Sequence, residues 1–186
     1  MAFISDITDG ELGSSVRSKL NELITLMNNN TGWAQYNDTA YSAGSPLVIN
    51  QGTTTGLLNN KGSVIESHLP QGVTTLYDGS RITPSASGDA YDLRIGFTAE
   101  CSSVNGAFAT SLDISELGNG SNKIFERASA TIRGANTPQK YVFATNIYSL
   151  GTFLANGGKV LFEAISGNFE IYDISFVITK THSARV

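Results

Sequence analysis

The stretch Tyr91-Asp92-Leu93-Arg94-Ile95-Gly96-Phe97-Thr98-Ala99-Glu100 decides the fold. Apolar side chains at 91, 93, 95, 97 and 99 alternate with polar residues or glycine, and successive residues of an extended chain point to opposite faces. The stretch therefore reads as a strand with one face on a core. Phe108, Leu112 and Ile114 form a second run, and Asn105-Gly106 before it predicts a hairpin, because both residues tolerate positive φ. On that reading the two runs are antiparallel neighbours. Further runs at 122–133 and 139–148 follow the turn-rich segments 118–121 and 134–138, and runs at 158–165 and 169–179 are joined by Ser166-Gly167-Asn168. Upstream, Asp78-Gly79 joins 73–77 to a short return strand at 80–82, while Trp33 to Tyr41 and Leu47 to Ile49 read as edge strands.

Eight or nine short strands with recurring turns, and no helical crossover among them, predict a mainly β protein: an antiparallel two-layer β-sandwich, jelly-roll-like, with a short N-terminal α-helix. The pattern leaves an immunoglobulin-like strand order open. Ile171, Ile174, Phe176 and Ile178 belong inside, with Tyr172 among them as a core aromatic whose hydroxyl is satisfied.

The helix is expected over Gly10 to Met27. Leu12, Val16, Leu20, Leu23 and Met27 recur at helical steps, Thr8 and Glu11 have the form of a capping box, and the Asn28-Asn29-Asn30-Thr31-Gly32 run ends the pattern. The four-and-three spacing is that of a coiled coil, but fewer than three heptads do not identify one. A helix of this length is marginal alone in water, so it must pack on its own body, on sister copies or on a larger assembly. The division is accordingly residues 1–31, a helical attachment or trimerisation segment, and residues 32–186, the sandwich.

Gly, Ser, Thr and Asn make up 73 of the 186 residues, and only 15% are charged. With a net charge of -4 and scattered Lys and Arg, the chain offers no electrostatic footprint for nucleic acid or an anionic membrane. No apolar run approaches bilayer length and no export signal opens the chain, so a soluble protein made in a reducing cytoplasm is expected, with lone Cys101 a small buried hydrophobe.

No reaction chemistry stands out. His68, Cys101 and His182 are too dispersed for a zinc site, and Asp89 and Asp92 read as a solvated strand entry rather than a calcium loop. No serine sits in a Gly-x-Ser-x-Gly elbow. Asp113, Glu116, Glu126, Glu163, Glu170 and Asp173 could supply a glycosidase pair only by accident of folding. The expectation is a protein without enzymatic activity or cofactor. Trp33, Tyr36, Tyr41, Tyr77, Tyr148 and Tyr172, amid abundant Asn, Thr and Ser, would suit a sugar- or protein-binding surface, though core packing accounts for most of them.

The opening Ile7-Thr8-Asp9-Gly10-Glu11-Leu12-Gly13-Ser14-Ser15-Val16-Arg17-Ser18-Lys19-Leu20-Asn21 resembles a segment at the start of tail-fibre and other virion proteins of tailed bacteriophages, particularly marine ones. Residues 171–182, with Gly44-Ser45-Pro46-Leu47 and Leu69-Pro70, are similar to the β domain that such proteins carry. The resemblance implies a virion component made in a bacterial host, a homotrimer attached to other virion proteins (capsid, portal or tail) by its N-terminus, as a tail fibre or a capsid decoration protein. Leu12, Val16, Leu20, Leu23 and Met27 are then the oligomerisation and attachment residues. Loops at Asp78, Asn105 and Asn119 face outward toward host surface, with a surface glycan as candidate partner. The rival expectation is a lectin-like or polysaccharide-degrading domain.

Overall fold

The structure, a computed structural model, describes residues 13–130 and 134–183, and of residues 25–29 the backbone only. Its elements in order are α1 (Gly13–Asn29), β1 (Gly32–Asn37), β2 (Leu47–Ile49), β3 (Thr54–Gly56), β4 (Ser63–Ile65), β5 (Ala90–Cys101), β6 (Ala107–Asp113), β7 (Lys123–Ala130), β8 (Gln139–Tyr148), α2 (Gly151–Asn156), β9 (Lys159–Ser166) and β10 (Phe169–His182). Two antiparallel sheets face each other. The larger runs β4-β1-β10-β5-β8, with β2 paired to the start of β10, and the smaller runs β3-β9-β6-β7. The expected two-layer antiparallel sandwich is what the chain forms.

β5 follows its sequence alternation: Tyr91, Leu93, Ile95, Phe97 and Ala99 are buried, while Asp92 and Arg94 are exposed on the opposite face. The inner faces of both sheets meet in an aromatic cluster. Phe108 stacks on Phe162 with centroids 4.7 Å apart, and Phe97, Tyr141 and Phe169 pack edge-on against one or both of them. Offset and edge-to-face arrangements suit the ring quadrupoles, so this cluster contributes more than its buried area.

β10 is the strand on which the larger sheet is threaded. Its first residues, Phe169 to Ile171, pair with β2, and from Ser175 onward it pairs with β1. Between them the register with β5 slips, with Asp173 at φ 52. One extra residue reverses the facing of everything beyond it. The core thus takes Phe169 and Ile171 before the bulge and Ile174, Phe176 and Ile178 after it. Tyr172 consequently lies on the outer face of the sheet rather than in the core. It is nearly buried there, and its hydroxyl donates to Glu100 Oε1 at 2.7 Å.

Several expectations need correction. Asn105 does take positive φ, at 64, but β5 and β6 are not hairpin partners: β5 pairs with β10 and β8, β6 with β7 and β9. The Asn105-Gly106 turn carries the chain from one sheet to the other. β1 is not an edge, since it lies between β4 and β10. The helix runs on to Asn29, and β3, β4 and α2 join the elements read from sequence. The Asp78-Gly79 turn closes on a single Tyr77–Ile82 bridge instead of a pair of strands. Thr8, Glu11, Leu12, the Met27 side chain and the end of the 122–133 run lie outside the described residues.

Candidate functional site

Strand register fixes which loops share an end of the sandwich. Gly32 lies opposite Lys180, and Ala90 opposite both His182 and Tyr148, so the helix joins the body at this end. Cys101, Phe169, Ala107 and Ser166 mark the far end.

The far end carries the Asn105 loop. With it come Asn50, Gln51 and Thr53, Ser102 and Ser103, Asn136, and Asn168, all of them exposed and uncharged. They latch one another: Asn168 Oδ1 accepts from the Gln51 amide, and Gln51 Oε1 accepts from the Gly167 amide.

Asp78 and Asn119 are at the opposite end, beside the chain's entry from the helix. Arg81 joins their two loops, since its guanidinium donates to the carbonyls of Ser115, Glu116 and Asn156. Asp78 Oδ1 accepts from the backbone amides of Ser80 and Arg81, and Asn119 Oδ1 from that of Ser121. Burial pushes the Asp78 carboxyl up, but these donors, the Ser80 hydroxyl and the Arg81 charge outweigh it and hold it below the usual carboxylate value. Both side chains spend their oxygens on shaping their own turns. Three residues read from sequence as one contact surface thus fall at two ends.

Asp113, fully buried, organises the Asn119 loop. It accepts from the backbone amides of Ser115, Gly120 and Asn122 and from the Ser115 hydroxyl, at 2.7–3.2 Å. Burial raises this carboxyl too, and the four donors more than offset it, leaving its pKa below the ordinary 3.8.

On α1, Leu20, Leu23 and Ile24 are 46%, 44% and 54% exposed, while Val16 is half-buried. The apolar stripe is left facing solvent. Ile24 adds to it one turn beyond Leu20, on the side of Leu20 away from Leu23.

Asp89, expected at a solvated strand entry, is wholly buried, and Lys180 Nζ is 2.9 Å from its Oδ2. Ser85 Oγ and the Tyr91 hydroxyl donate to the same carboxylate oxygen. Asp92 does remain exposed. Among the described residues no three His, Cys, Asp or Glu side chains gather as a metal site, and no helix is long and apolar enough to cross a membrane. Of the tyrosines weighed for a binding surface, Tyr36 and Tyr77 are core residues, with hydroxyls pushed up to about 12 chiefly by burial. Tyr172 is pushed to about 12 chiefly by its bond to Glu100. Tyr148 stands 66% exposed on the outer face of the larger sheet.

No family model matches the chain, and no curated protein does. Among solved structures it is similar to Eiger TNF from S. frugiperda, at 9% identity and TM-score 0.51 over 84% of this chain and 94% of that one. It is also similar to the PRD1 vertex protein P5, at 14% identity and TM-score 0.45 over 82% of this chain and 73% of that one. The globular domain of zebrafish complement 1qA protein is similar at 8% identity and TM-score 0.45, over 83% of this chain and 99% of that one. At 9% identity the likeness to Eiger TNF shows the fold alone, a jelly-roll β-sandwich. The strand order that the sequence pattern left open is fixed by the strand pairing itself.

Proposed function

We propose that this chain is a non-enzymatic structural protein of a bacteriophage particle, a short trimeric fibre or decoration protein held to the particle by its N-terminal segment. The observation that carries the reading is the solvent-facing stripe of α1 at one end of the jelly roll. Burying Leu20, Leu23 and Ile24 on sister copies would recover roughly 25 cal/mol per Å² of apolar surface, whereas a free helix of 17 residues gains nothing from them. Val16, with Leu12 and Met27 in sequence, extends the same stripe.

The body then projects away from the particle. Asn105 belongs to the end remote from the helix and suits outward contact. Asp78 and Asn119 lie near the attachment and suit contact with neighbouring virion proteins. The chain is made in the host cytoplasm and resides in the virion.

Antibody labelling of purified particles tests this. Label at regular sites on tail or capsid supports the reading, and its absence from particles that package normally rejects it. Particles lacking the protein separate the two roles: earlier rupture on heating marks decoration, and loss of adsorption to host envelope marks attachment.

A further inference from the structure

The outer face of the larger sheet carries a trough along β5. Its register sets Thr179, Asp92 and Asn146 in one row, Val177, Arg94 and Ala144 in the next, and Ser175, Gly96 and Val142 in the third. Gly96 has no side chain and Ala144 a short one, so the floor is low where longer neighbours stand up around it. A depression of about 450 Å³ lies over Asp92, Arg94, Ala144 and Asn146, and a second of about 190 Å³ continues past Gly96 and Ser175. From Asp92 to Thr98 the strand advances about 20 Å.

The chemistry of this trough is specific. Asp92 offers two acceptor oxygens, Arg94 a fork of donors, and Asn146 one acceptor with two donors. All three are exposed, and among the described residues none of their side chains has a hydrogen-bond or ion-pair partner. Tyr148, two residues beyond Asn146 on the same face, adds an exposed aromatic ring. Carboxylate, guanidinium and amide beside a ring are what a polyhydroxylated ligand requires: hydroxyl pairs are read by the polar groups, and the apolar face of a sugar ring packs on the aromatic. A second copy of the chain fits worse. The centres of protein interfaces are depleted in Asp, and seating one here would take the Asp92 carboxylate out of water.

We infer that this trough is a binding site for a neutral polysaccharide of the host surface, recognised through Asp92, Arg94, Asn146 and Tyr148. The trough runs along the flank of the body from Tyr148 at the helix end, and the inference rests on the reading of that body as the exposed part of a particle protein.

The test is an amide-shift titration of the full chain with neutral oligosaccharides of increasing length, with a sulfated oligosaccharide as the charged comparison. Shifts confined to residues around 92–96 and 144–148, growing with length, are expected. Asp92→Ala and Tyr148→Ala, both on exposed side chains, should each weaken binding about tenfold or more. Gly96→Ala should do the same by raising the floor: a Cβ there meets Ser175 Oγ at 3.4 Å and the Ser175 carbonyl oxygen at 4.0 Å, both ordinary contacts. The inference is overturned if no neutral glycan shifts these residues, if the variants bind like the parent, or if shifts gather at the Asn105 end instead. It is overturned equally if the same variants dissociate an oligomer and leave glycan binding unchanged. Failure here leaves the particle labelling untouched, so the two readings fall separately.

Discussion

Asp89 and Lys180 close the sandwich at the end where the helix joins it, with carboxylate and ammonium 2.9 Å apart and both buried. The pair ties the approach to β5 to the C-terminal end of β10, and Ser85 and Tyr91 supply further bonds. Removing one partner strands the other in a medium that cannot solvate it. Lys180→Met should therefore cost about 3–5 kcal/mol, whereas Lys180→Met with Asp89→Asn should recover part of that loss because no bare charge remains. Urea unfolding of both variants checks the prediction, which fails if the double variant is no more stable than the single.

Asp113 gives acid sensitivity a defined origin. Its folded pKa lies below the ordinary 3.8, so its stabilising contribution is complete above that value. The contribution is lost as pH falls through the folded value, because only the unfolded chain takes up the proton readily. Asp78 acts in the same direction. Asp113→Asn should lower stability by about 1–3 kcal/mol at neutral pH, since four donors lose a charged acceptor. It should also flatten the decline below pH 4. Denaturant midpoints followed from neutral to acid pH measure both effects, and an unchanged acid slope would contradict the assignment.

How much of this was legible in the sequence depends on the length of each run. β5, β8 and β10 are long enough to display alternation, and they were found. β3 and β4 are three residues each, too short to show a period. The Asn105-Gly106 dipeptide announces a backbone conformation correctly, yet turn chemistry does not say which strand comes to lie alongside, and in a sandwich that partner is set by distant packing. Asp89 and Asp92 look alike in sequence; only the approach of Lys180, about ninety residues on, buries one and leaves the other exposed. The trough was hidden for the same reason, since Arg94 meets Ala144 only through the β5–β8 register.

Gly167 sits at a crossing between the sheets with φ 85, and a Cβ there would come within 2.5 Å of Cys101 Sγ. Gly167→Ala thus combines two penalties, a left-handed backbone worth about 1–2 kcal/mol and a clash in the core. Cys101→Ala in the same chain should relieve the closest contact and leave the backbone cost and the tighter fit against Ser103, 3.2 Å away. A double-mutant cycle by thermal unfolding should show favourable coupling; strict additivity would mean that Sγ is not what the new methyl meets.

The helix supplies the last prediction, because its stability cannot come from its own length. Seventeen residues without an acidic first turn or a basic last turn are marginal in water, and its stripe of Leu20, Leu23 and Ile24 faces solvent in the single chain. If sister copies cover that stripe, helical signal and mass should rise together with concentration. Leu20→Asp with Leu23→Asp should then yield a monomer whose helical signal is weak at every concentration and whose β signal and body unfolding midpoint match the parent. Circular dichroism beside sedimentation equilibrium reads this directly. A parent chain that stays monomeric while α1 remains folded would mean that the stripe serves something other than self-association.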